Sequence, residues 1–254
     1  MKRIVVKVGS AVLTQDGTIA LDRMRALVSF LAELKKENEV ILVSSGAVAG
    51  GYTKLQLDRS VLANKQALAA IGQPVLMQKY AQKFDKYDII TAQVLVTAAN
   101  LAREDEIQKI KNTVDTLLAN RVIPIVNEND ATAVEELVVG DNDQLSAYMA
   151  KHTASDMLII LSDIDAYYDK DPRKHEDAQR LKIVHKIAQE ELQKDVTPNN
   201  LFATGGIVTK LKAASYLLDN NLEMFLASGF DLSDVKSFML KKEHIGGTLF
   251  TKDE

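Results

Sequence analysis

Six short apolar runs rich in β-branched residues punctuate the chain: IVVKVG (4–9), VILVSSG (40–46), DIITAQVLVT (88–97), VIPIVN (122–127), MLIILSD (157–163) and EMFLASG (223–229). Between them lie longer segments of a different period. In LDRMRALVSFLAELKKE, the residues Leu21, Met24, Leu27, Val28, Leu31 and Leu34 fall on one helical stripe. Similar stripes run through SVLANKQALAAIGQPVLMQKYAQKFD, DEIQKIKNTVDTLLAN and TKLKAASYLLDN. Strands apolar on both faces must be covered on both faces, and helices between them do this when the strands run parallel. The expected fold class is therefore α/β, a three-layer αβα sandwich with a mainly parallel central sheet. Pro74 inside the second stripe predicts a kink or a break. The polar stretch AYYDKDPRKHEDAQR (166–180) reads as a long surface loop, and GGTLFTKDE as a last short strand with a frayed tail. No Pro/Gly/Ser-rich linker or internal repeat divides the chain, so a single domain over 1–254 is expected.

At 254 residues and 46% hydrophobic content, the chain can bury a sizeable core. The net charge of −4 is spread along its length, which gives no basic field for nucleic acid or an anionic membrane. The absence of cysteine removes disulfides, thiolate nucleophiles and Cys-type zinc sites. The first apolar run is broken by Lys7 and is too short for a signal segment or a membrane span. These features predict a cytoplasmic protein with no nucleic-acid or membrane partner. The four histidines, 152, 175, 185 and 244, have no metal-ligand spacing, and G-x-S-x-G does not occur, which disfavours a hydrolase.

Ligands of open α/β sheets gather at the carboxyl ends of the strands, and polar residues follow the apolar runs here. Lys7, flanked by Val5, Val6 and Val8 and followed by Gly9, asks for an anionic partner such as a phosphate if its strand is buried. If that strand lies at an edge, Lys7 is simply solvated. SSGAVAGG (44–51) suits either a carboxylate or phosphate at a helix N-terminus or tight helix packing. ATGGIVTK (203–210) is neither a Walker A loop nor a dinucleotide fingerprint. Its glycines and Lys210 fit a polyphosphate, and equally a helix cap followed by a surface lysine. In NENDATAVEELVVGDNDQLSA (127–147), AVEELVV can fold as a hairpin that joins two polar clusters able to meet an ammonium group or Mg²⁺. Asp141 to Asp143 also read as plain N-caps.

Taken together, VVKVGS, VSSGAVAGG, KQALAAIGQ, QVLVT, NTVDTLLANRVIPIVNENDA, VGDNDQLSA, LSDIDAYYDKDPR, TGGIVTK and GTLF resemble the amino acid kinase family in order and spacing over essentially the whole chain. KQALAAIGQ and the END and GDND segments resemble its members acting on free glutamate. The resemblance implies ATP-dependent phosphorylation of the γ-carboxylate of L-glutamate to L-glutamyl 5-phosphate, the first step of proline biosynthesis. Another amino acid or carbamate kinase, or a non-catalytic ligand sensor, is the alternative.

By resemblance, Lys7, Lys210 and Asp163 would be catalytic, with Asp163 orienting the lysines, and Ser45, Asp130 and Asn142 would bind glutamate. Lys7, Gly9, Ser162, Asp163, Thr204, Gly205, Gly206, Ile207, Val208, Thr209 and Lys210 would hold ATP. Asp130 would pair with the substrate's ammonium group, and Asp143 would support a Mg²⁺ ion. The part up to about 155 would bind mainly glutamate and the rest mainly nucleotide, with no PUA domain. Proline as feedback inhibitor and a homo-oligomer, dimer or tetramer, are also implied. Ala166, Ala203 and Ile207 depart from the family pattern, all in the nucleotide half.

Overall fold

A mainly parallel sheet covered by helices on both sides needs strands that are apolar on both faces, and the six runs supply them. The computed structural model describes residues 1–132, 142–193 and 206–253. In chain order the first half contains β1 (Lys2–Val8), α1 (Ser10–Leu13), β2 (Thr14–Gln15), β3 (Thr18–Ile19), α2 (Leu21–Leu34), β4 (Asn38–Ser44), α3 (Ala47–Tyr52) and α4 (Leu62–Phe84). Next come β5 (Thr91–Val96), α5 (Ala98–Leu101), α6 (Glu104–Ala119), β6 (Ile123–Glu128), α7 (Asn142–His152) and β7 (Met157–Ser162). The chain continues with β8 (Ile183–Val184), α8 (Gln189–Leu192), α9 (Ile207–Asp219), β9 (Glu223–Ser228), α10 (Ser233–Lys236) and β10 (Thr248–Phe250).

The main sheet has the order β5-β6-β4-β1-β7-β9-β10-β8, with β2 and β3 forming a separate hairpin. Strands β5 through β9 in that order pair in parallel, and β10 runs antiparallel to β9. Because side chains alternate along a strand, β1 sends Ile4, Val6 and Val8 to one face and Val5 and Lys7 to the other. The first set joins α2 and α4 through Met24, Leu31, Leu76 and Tyr80. The second face packs under α6, α7 and α9 through Val114, Leu145, Leu211 and Leu217. This is the three-layer sandwich expected, and it settles the position of Lys7: β1 lies between β4 and β7, in the interior of the sheet.

Pro74 does not break its helix. α4 runs unbroken through it, with Leu68, Leu76, Tyr80 and Phe84 buried on both sides of the proline. The packing of those side chains outweighs the one backbone hydrogen bond that a proline removes. Residues 166–180 form a surface loop whose ends are tied by an antiparallel bridge between Tyr168 and Arg180. Among the described residues no helix is long and apolar enough to cross a membrane.

Part of SSGAVAGG serves packing. A Cβ on Gly72 of α4 would lie 1.8 Å from the Ala47 carbonyl oxygen and 2.2 Å from the Gly51 nitrogen, so α3 and α4 touch backbone to backbone. Gly72→Ala is expected to lower stability by about 3 kcal/mol, because the clash is with main chain and not with a side chain that can swing away. The urea midpoint of the variant measures this, and an unchanged midpoint would mean the two helices can slide apart.

Candidate active site

Lys7 stands at the carboxyl end of β1 on the face covered by α7 and α9, and it is 3% exposed. Its Nζ donates to Asp143 Oδ1 at 2.5 Å. Lys210, in the first turn of α9 and 2% exposed, donates to Asp143 Oδ2 at 3.1 Å. Thr209 Oγ1 donates to the same oxygen at 2.8 Å. Asp143 is fully buried in the first turn of α7. Two ammonium groups therefore share one carboxylate where two helices begin, and the exposed amides of helix N-termini favour negative charge. The surroundings of Lys7, Lys210 and Asp143 are those of an anion site.

Gly9, two residues after Lys7, donates its N–H to the Leu161 carbonyl at 3.0 Å. A Cβ there would sit 3.6 Å from the Leu161 carbonyl oxygen and 3.9 Å from Lys7 Nζ. On the same side, Ser162 at the end of β7 is buried and donates its hydroxyl to Asp163 Oδ1 at 3.0 Å. Gly206 caps α9, whose first turn contains Ile207, Val208 and Thr209 with Lys210. Thr204 and Gly205, like Ala203 and the AVEELVV hairpin segment, lie outside the described residues. The acceptor seen to join the two lysines is Asp143, the residue expected near a metal, while Asp163 receives Ser162.

On the other side of the lysines lies a cavity of about 170 Å³ whose wall includes Ala47, Gln73, Gln93, Glu128 and Asp130. Burial pushes the Asp130 carboxyl up to about 6. Beside the cavity, Asn142 Nδ2 donates to Ser45 Oγ at 2.9 Å and to the Ser44 carbonyl at 3.1 Å. It also reaches Asn127 Oδ1 at 3.2 Å. Ser45 and Asn142 are thus brought together, and Asp130 lies on the wall nearby. Asn127 and Gln73 join this group although sequence reasoning assigned them no role. A signal was present for Gln73, which shares the buried face of α4 with Leu68, Ala69, Leu76 and Tyr80 and is its one amide.

Among the described residues no group of three His, Asp or Glu side chains could cage a metal ion. Both Asp143 oxygens already receive cations or a hydroxyl. A divalent ion carried by the phosphates of a nucleotide would keep most of its ligands from phosphate and water, and would need no such cage.

The amino acid kinase family model matches residues 2–228. Glutamate 5-kinase of Wolinella succinogenes is 51% identical over 99% of this chain and 98% of its own. Glutamate 5-kinase of Leishmania donovani is 50% identical over 98% of this chain and 95% of its own. In three dimensions the chain is similar to an isopentenyl phosphate kinase, with TM-score 0.71 and 17% identity over 98% of this chain and all of the other. A carbamate kinase from Giardia lamblia bound to AMP-PNP aligns with TM-score 0.67 and 18% identity over 99% of each chain. The structural likenesses show the shared fold, and the sequence likenesses run nearly end to end: the chain belongs to the amino acid kinase family and, within it, to the glutamate 5-kinases.

Proposed function

We infer that the protein transfers the terminal phosphoryl group of ATP to the γ-carboxylate of L-glutamate, giving the acyl phosphate that opens proline synthesis. The observation that carries this reading is the buried Lys7–Asp143–Lys210 group, set between the Asp130 cavity and the Gly9, Ser162 and Gly206 turns. A carboxylate nucleophile is already ionised at neutral pH, so no general base is needed. What the reaction needs is alignment of two anions and neutralisation of the charge that spreads over the transferred oxygens.

In this reading Lys7 and Lys210 meet those oxygens from two different elements, β1 and α9, and Asp143 holds the ammonium groups at a fixed spacing. The N-termini of α7 and α9 add fixed dipoles that need no rearrangement during the reaction. Asp130 receives the substrate's ammonium group, and Ser45 and Asn142 orient the rest of the amino acid. Ser162, Asp163 and the turn before α9, with Thr204 and Gly205, border the nucleotide. A divalent metal, Mg²⁺ in our reading, supplies charge neutralisation on the phosphates. Family likeness alone supports inhibition by proline, a homo-oligomer, one domain for the whole chain and a cytoplasmic setting.

The test is ATP-dependent formation of γ-glutamyl hydroxamate from L-glutamate with Mg²⁺ and hydroxylamine, with and without proline. A Mg²⁺-dependent signal with glutamate, lowered by proline, is expected. Turnover of N-acetyl-L-glutamate alone would overturn the placement of an ammonium group at Asp130. No turnover of glutamate, N-acetylglutamate or aspartate by folded protein that binds ATP would make the chain a ligand sensor.

A further inference from the structure

A side-chain amide keeps its shape when turned end for end, so its surroundings must decide which end faces a ligand. Two backbone groups decide it here. The Glu128 N–H can only donate, and it lies 2.9 Å from Asn127 Oδ1. Asn127 must therefore turn Nδ2 to Gln73 Oε1, 3.0 Å away. Gln73 in turn must point Nε2 at Gln93 Oε1, again at 3.0 Å. From the other end, the Ser44 carbonyl can only accept and takes Asn142 Nδ2 at 3.1 Å, so the Asn142 carbonyl oxygen faces away. That oxygen is buried and has no hydrogen-bond partner among the described residues.

The row Gln93–Gln73–Asn127–Asn142 thus has one polarity from end to end. It presents an acceptor at Asn142 and leaves the NH₂ group of Gln93, which lines the cavity, as a donor. A buried amide destabilises unless both ends are bonded, and a leucine would fill the Gln73 position without that requirement. Gln73 meets the requirement only because it joins Asn127 to Gln93.

We propose that Gln73 is a positioning residue for the amino acid substrate: it locks this row of amides so that Asn142 offers the substrate an acceptor and Gln93 offers it a donor. The role rests on the glutamate-kinase reading. It adds a specificity determinant on α4, whereas the two lysines of the phosphoryl site lie on β1 and α9.

The experiment is a double-mutant cycle on the full chain with Gln73→Met and Gln93→Met, read as KM for glutamate, KM for ATP and kcat. Methionine keeps the length of glutamine and removes both hydrogen-bonding ends. Gln73→Met is expected to raise the glutamate KM about tenfold or more, with the ATP KM and kcat changed by about twofold or less. The double variant is expected to be little worse than Gln73→Met, because both substitutions cut one row. A glutamate KM within about twofold of wild type in Gln73→Met, strict additivity in the cycle, or equal changes in the two KM values would overturn the positioning role. If Gln73→Met does not fold, Gln93→Met on the exposed edge strand decides, and an unchanged glutamate KM there overturns it. A wild type that is inactive on glutamate would instead overturn the parent reading, and this proposal with it.

Discussion

Asp143→Asn is expected to lower kcat by roughly 10³ and to destabilise the protein by about 3–5 kcal/mol, although it only replaces one carboxylate oxygen by an NH₂ group and keeps the side chain's shape. The carboxylate is fully buried and accepts from Lys7, Lys210 and Thr209, so the amide would turn an NH₂ group toward at least one ammonium. Two cations brought together at the ends of β1 and α9 would then repel each other in a setting where water screens poorly. Urea unfolding measures the stability loss, and single-turnover kinetics separate it from the loss in the chemical step. Pyrophosphate should return part of the lost stability, because an added anion takes over the role of the missing carboxylate. A variant with wild-type stability and kcat would mean the lysines are held by other groups.

Asp130 should show the opposite sign in stability. Its carboxyl is raised to about 6 by burial, so in the ligand-free protein it is ionised at neutral pH against an unfavourable environment. A folded-state value above the unfolded one contributes stability only at low pH, and that contribution is lost as pH rises toward 6. Asp130→Asn is therefore expected to stabilise the ligand-free protein at pH 7.5 by on the order of 2–3 kcal/mol and to leave it nearly unchanged at pH 4. The same substitution should raise the glutamate KM by about 10² or more, since the ammonium group loses its counter-charge. In the wild type the glutamate KM should climb as pH falls through about 6. Thermal melts at the two pH values and a pH profile of KM check both halves. A destabilised Asp130→Asn variant would show that the carboxylate has a compensating partner.

Much of this arrangement could be read from residue order, and the part that could not has a definite cause. The six apolar runs each became a strand because apolar residues on both faces leave no other stable solution between amphipathic helices. Strand order was not legible, because pairing depends on chain crossings that leave no mark in local composition. Lys7 could therefore be either an edge residue in water or a buried cation, and only its place between β4 and β7 decided. Asp143 was ambiguous for a related reason. An aspartate at a helix start has the same neighbours in sequence whether it caps the helix or accepts from a lysine 136 residues away. The Gly50, Gly51 and Gly72 contacts were hidden likewise, since small residues look alike whether they admit a ligand or another helix. Two-residue β8 is too short to leave any period.

The sequence distances spanned by the lysine–aspartate group also govern when the protein becomes active as it folds. Lys7 and Asp143 are 136 residues apart, and Asp143 and Lys210 are 67 apart, so no contiguous half of the chain contains the whole group. Contacts of such long range form late, because the loops they close must be ordered first. Until the middle strands are zipped on both sides of β1, both ammonium groups stay hydrated and nothing aligns a phosphate. Partly folded chains emerging from the ribosome would hold helices and hydrophobic clusters yet turn over no ATP. Recovered activity after dilution from denaturant should accordingly lag behind recovered helix signal.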